Sequence, residues 1–177
     1  MKKILVLLIF FVGICSQSMA QDDAIQRFFS KYMEDDRFSR VYISPKMMQM
    51  AGGFLKNNAG EDEDAEEMGS LISKIKGIRI LSSEEVDGMT LYKEAMGTLT
   101  KNQYEELMDV QDKRSSLKFM IRERNGLIQE LMMVSGSGKE FSLICLLGSF
   151  TYEDLNLLAE KTSLPGMDQY GKGKNQP

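Results

Sequence analysis

Carboxylates and one thiol are the reactive groups this chain offers, because its 177 residues contain no histidine. The absence removes Ser-His-Asp and Cys-His catalysis, histidine-ligated zinc and the ordinary pH switch. The densest charge is the run Glu61-Asp62-Glu63-Asp64-Ala65-Glu66-Glu67, and a second acid, Glu130, stands alone among apolar neighbours. Two carboxyl groups facing each other across a cleft, roughly 5 to 9.5 Å apart, would hydrolyse a glycoside, so Glu130 and an acid of the run form the one pair for such chemistry. Calcium is the other use for the run, but it lacks the glycine at the sixth loop position and the closing glutamate of an EF-hand. A solvated loop leading into a helix at Ala65 to Lys74, with no bound metal, is therefore expected. Cys145 shares one strand face with Phe141, Leu143 and Leu147, which makes it a small buried apolar residue rather than a nucleophile. No motif for a cofactor or for catalysis stands out.

Glu130 is placed by the stretch from Ser115 to Gly148, which reads as three strands and two turns. Phe119 and Ile121 alternate with Lys118, Met120 and Arg122, the period of a half-buried strand, and Asn125-Gly126 is a strong hairpin signal. A two-residue turn there would put Glu130 opposite Ile121, on the face of Leu117 and Phe119, where a carboxylate is costly to bury. A three-residue loop of Arg124, Asn125 and Gly126, with the glycine left-handed in a bulge, puts it among Lys118, Met120 and Arg122 instead. The second geometry is preferred. It gathers Leu117, Phe119, Leu131 and Met133 on one apolar face and leaves Glu130 in a surface ion pair on the other, which also carries Met120, Ile128 and Met132.

At the start, Lys2-Lys3, an apolar run of about eleven residues from Ile4 and the small-x-small end Ser18-Met19-Ala20 read as a secretory leader cleaved after Ala20. The run is too short to cross a bilayer, which takes about twenty residues, and no later segment comes closer. Ile14 before Cys15 is bulky where lipoprotein processing needs a small residue, so a lipid anchor at Cys15 is not expected. The formal charge is −4 and becomes more negative once Lys2 and Lys3 are lost. With no basic cluster, the chain is a poor partner for nucleic acid or an anionic membrane surface. Residues 21–164 suit one domain with a core, and the polar, glycine-containing end, 165–177, reads as a disordered tail. The location expected is periplasmic or extracellular.

In order, the spacing predicts a helix over Asp23 to Asp35, a short strand Val41 to Ile43, and a helix from Pro45 to Asn57 capped by Ser44. This second helix is rich in methionine, and Met47, Met48 and Met50 are its candidate binding residues, although methionine at helical spacing commonly fills a core. Gly52-Gly53 weakens the helix or marks a close crossing. A strand over Gly77 to Ser82 follows, then a loose helix from Ser83-Glu84-Glu85 to Thr98. Thr100 to Gln103 has the form of a capping box and predicts another helix, burying Tyr104, Leu107 and Met108. After the meander, Thr151 and Asp154 bracket a last helix as N-cap and N3 acid.

These elements describe an α+β protein with a mostly antiparallel sheet ending in a three-stranded meander and helices packed mainly on one face. The chain also resembles the secreted Bacteroidetes domain-of-unknown-function family numbered 4252. The resemblance rests on Val41-Tyr42-Ile43-Ser44, Lys76-Gly77-Ile78-Arg79-Ile80-Leu81, Tyr104-Glu105-Glu106-Leu107-Met108 and Gly126-Leu127-Ile128-Gln129-Glu130-Leu131. It covers nearly all of the chain after the leader. It implies a Gram-negative envelope protein and brings no catalytic residues. Many members look lipid-anchored, a pattern from which Ile14-Cys15 departs. The function expected is a non-catalytic interaction or regulatory module that binds a protein partner or itself, with a carboxylate hydrolase as the alternative.

Overall fold

The computed structural model describes residues 22–161, with side chains from Ile25 onward. The expected leader with Cys15 and the expected tail, 165–177, lie outside the described residues. The elements are α1 (Asp22–Lys31), β1 (Ser39–Ile43), α2 (Pro45–Asn58), α3 (Glu63–Lys74), β2 (Gly77–Ser83), α4 (Gly88–Lys101), β3 (Glu105–Gln111), β4 (Ser116–Arg124), β5 (Leu127–Gly136), β6 (Phe141–Phe150) and α5 (Tyr152–Lys161). The strands form one antiparallel sheet in the order β1-β2-β6-β5-β4-β3. The α+β class is as the sequence indicated.

Both sheet faces are covered, because both sets of alternate side chains are apolar. One core joins α1 and α4 to the sheet through Phe28, Tyr92, Leu99, Met120, Met132 and Leu143. The other joins α2, α3 and α5 through Met48, Leu71, Leu155, Phe119, Ile121 and Leu131. The helices thus divide two and three between the faces instead of gathering chiefly on one. The expected outer face of Met120 and Met132 is core as well, since α4 lies over it. On the three-helix face the register sets Val41, Ile80, Ile144, Met133, Phe119 and Met108 side by side, an apolar row crossing all six strands.

Two local expectations change. The capping-box pattern at Thr100 starts no helix, because α4 runs through it to Lys101 and is capped at its other end by Asp87, whose carboxylate accepts from the Thr90 N–H. Asn102 closes α4, Gln103 turns with φ 62°, and the chain leaves as β3. The meander therefore gains a fourth strand beside β4. By contrast, α5 begins in the reciprocal cap the sequence suggested: Asp154 N–H donates to Thr151 Oγ1 at 3.1 Å, and Thr151 N–H donates to Asp154 Oδ2 at 2.8 Å.

Asp154 also accepts from Lys74 Nζ, at 2.7 and 2.8 Å, tying α5 to α3. Burial pushes its carboxyl up, but Lys74 and Thr151 outweigh that and hold it below the ordinary 3.8. A carboxylate depressed in the folded state stabilises above the unfolded value and loses that contribution as pH falls through the lower folded one. Asp154→Ala should therefore cost about 1 to 2 kcal/mol at neutral pH and progressively less as pH falls below the ordinary carboxylate range, as read by urea unfolding over a pH series.

Candidate functional site

The hairpin at Asn125-Gly126 decides where Glu130 points, and it does so by a route other than the one preferred from sequence. Asn125 and Gly126 both have positive φ, 55° and 76°, and Arg124 pairs directly with Leu127, so the connection is the two-residue type I′ turn. The extra residue sits further along, in β5: Glu123 pairs with Ile128 but Arg122 pairs with Glu130, leaving Gln129 as a bulge. That shift moves Glu130 off the Phe119 face to stand opposite Arg122. The two-residue turn itself sets Ile128 opposite Glu123, in the Phe119 core and away from Met120 and Met132.

Glu130 is 8% exposed and Tyr104 6%, so the ion pair lies inside the protein and not at its surface. Arg122 donates to one carboxylate oxygen and the Tyr104 hydroxyl to the other. The Arg122 guanidinium carbon also lies 5.4 Å from the centre of the Tyr104 ring. Burial, and then the charge of Glu130, push the Tyr104 phenol above its ordinary value, keeping it a neutral donor. Nearby, Cys145 is fully buried, and burial together with Glu130 pushes its thiol up to about 12. A protonated, inaccessible thiol is not a nucleophile. The sequence pointed to Glu130 and Arg122 but missed Tyr104, because a helix was expected there.

The acidic run lies on the opposite side of the sheet. Asp62 caps α3 by accepting from the Ala65 N–H, and Glu63, Asp64 and Glu66 occupy its first turn. Glu63, Glu66 and Glu67 line an open hollow of about 540 Å³ with Glu153 and Asp154 of α5. Since α3 packs on the Phe119 face and Glu130 belongs to the other, the sheet separates the two members of the hydrolase pair. Among the described residues, no three histidine, cysteine, aspartate or glutamate side chains are gathered to hold a metal ion. No described helix is long and apolar enough to cross a membrane.

The methionines of α2 separate by face. Met48 is buried in the core and leaves the set of candidate binding residues, because it sits one helical turn from Gly52, where α2 meets α3. A Cβ at Gly52 would stand 2.7 Å from the Gly69 carbonyl, so Gly52 marks a close crossing, while Gly53, with nothing within 4 Å of its Cβ position, does not. Met47 and Met50 point away from that contact with exposures of 57% and 60%, and Phe54, at 68%, extends the same stripe at i, i+3, i+7 spacing. Next to α2 in sequence, the edge strand β1 exposes Val41 (45%) and Tyr42 (62%). Phe54 was legible only as one more apolar residue of an amphipathic helix. Its outward position depends on which face Gly52 commits to α3.

No curated protein and no solved structure matches the chain. Residues 32–158, from Tyr32 in α1 to Leu158 in α5, match the family described as a domain of unknown function, DUF4252, and the chain belongs to that family.

Proposed function

We propose that this protein is an exported, non-catalytic interaction module of the cell envelope that recognises polypeptide through the outward stripe of α2 and the free edge of β1. The observation that carries this reading is the high exposure of Met47, Met50 and Phe54 along one stripe of α2, and of Val41 and Tyr42 on the two faces of the preceding edge strand β1. Exposed apolar groups so placed favour recognition, and methionine adapts to varied partners. An edge strand adds main-chain hydrogen bonds. Of the acids that sequence alone could assign to chemistry, Glu130 neutralises Arg122, and Asp62 of the acidic run caps α3. The short cationic, apolar and small-residue N-terminus supports export.

Selection from a displayed library of unstructured random peptides tests this. Enriched peptides should lose at least about tenfold in affinity, roughly 1.4 kcal/mol, for a variant carrying Met50→Glu and Phe54→Glu, with its melting temperature unchanged. Equal binding by that variant would remove α2 from the account. Hydrolysis of glycosides that is abolished by Glu130→Gln would replace the account with the enzymatic one.

A further inference from the structure

The two edges of the sheet are built differently. β3 carries Glu105, Glu106 and Asp109 and is bent by a bulge between Glu106 and Met108, devices that discourage another strand from pairing. β1 has none of them: Ser39-Arg40-Val41-Tyr42-Ile43 is regular, its one charge is Arg40, and it pairs only with β2 in the sheet order. On the Phe119 face α2 packs chiefly on α3, which in turn meets α5, so α2 ends that row of helices. The stripe of Met47, Met50 and Phe54 lies on the side of α2 turned away from α3.

We infer that β1 pairs with β1 of a second copy of this chain, antiparallel about a two-fold axis at Val41, and that the two α2 stripes pack together over the junction. This rests on reading α2 and β1 as the working surface, and it names their occupant. The strand is self-complementary in that register. Val41 faces Val41, extending the apolar row Val41, Ile80, Ile144 without a break, and Arg40 faces Tyr42, so no like charges oppose. Arg79 already lies 6.0 Å from the Tyr42 ring, and Arg40 of the second copy would approach the same aromatic neighbourhood. Five paired residues alone fall well short of the roughly 800 Å² per partner of a stable interface, so the α2 stripes have to supply the rest of the buried surface.

Sedimentation of the purified chain over a concentration series, paired with cysteine cross-linking, tests the inference. Directly opposite residues in antiparallel strands lie roughly 4.5 to 5.5 Å apart at Cα, within disulfide reach. Val41→Cys should give a disulfide-linked dimer on mild oxidation, while Glu105→Cys on the other edge and the unmodified chain stay uncross-linked. Val41→Lys, which opposes two ammonium groups on the axis, should weaken dimerisation at least about tenfold and leave the monomer folded by circular dichroism. A chain that stays monomeric at high concentration, or a dimer that Val41→Lys does not weaken and Val41→Cys does not cross-link, overturns the inference. Binding of displayed peptides to such a monomer, lost on Met50→Glu with Phe54→Glu, would leave the proposed function standing without its self-pairing occupant.

Discussion

Replacing Arg122 by methionine is expected to destabilise the fold by about 3 to 5 kcal/mol, because it strands the Glu130 carboxylate inside the protein with only the Tyr104 hydroxyl for company. Side-chain exposures of 15% for Arg122 and 10% for Glu130 mean that water cannot replace the lost guanidinium. The loss should be context-bound. Exchanging Glu130 for leucine in the same molecule removes the stranded charge and should restore part of the stability, the remaining loss being about 1 to 3 kcal/mol for the buried Tyr104 hydroxyl left without its acceptor. Urea unfolding of the two single variants and the double variant gives the coupling directly. A single Arg122→Met loss under about 1 kcal/mol would show that solvent reaches the pair.

Gly88→Ala should cost about 3 kcal/mol, the upper range for overpacking, although alanine ordinarily favours a helix. The first turn of α4 rests directly on the β5–β6 connection: a Cβ at Gly88 would lie 1.8 Å from the Glu140 carbonyl oxygen and 2.5 Å from that of Ser137. Gly136 faces the same contact from the other side, its own Cβ position being 2.5 Å from the Gly88 carbonyl. Backbone meets backbone here, so no flexible side chain can yield. Gly97, further along α4, has nothing within 4 Å of its Cβ position. Gly97→Ala should therefore stabilise by up to about 1 kcal/mol in the same unfolding assay. Equal effects at the two positions would contradict this packing.

How much of this could be read from the chain depended on whether the deciding force was local. The strand character of β4, β5 and β6 came from alternation, and the α5 cap from the spacing of Thr151 and Asp154, because both are set within a few residues. Glu105-Glu106-Leu107-Met108 is compatible with helix or strand by pattern, and only pairing with β4 made it β3. That tertiary choice delivered Tyr104 to Glu130. The destination of Glu130 was inferred correctly from the cost of burying a carboxylate against Phe119, while the device was not: a bulge at Gln129 has no signature as plain as Asn-Gly. The division of helices between faces, and the outward turn of Met50 and Phe54, depend on strand order and on the Gly52 crossing. Neither is encoded in any one segment's periodicity.

The account rests on the claim that α2 and β1 are the surface this protein works with. Photo-cross-linking groups placed singly at Met50, at Phe54 and, as a control, at Lys113 beyond β3 would locate contacts residue by residue in the full chain. The account predicts polypeptide adducts, to a second copy or to another protein, from positions 50 and 54 at least about tenfold above those from 113. Adducts that are equal at all three positions, or confined to 113, would contradict it.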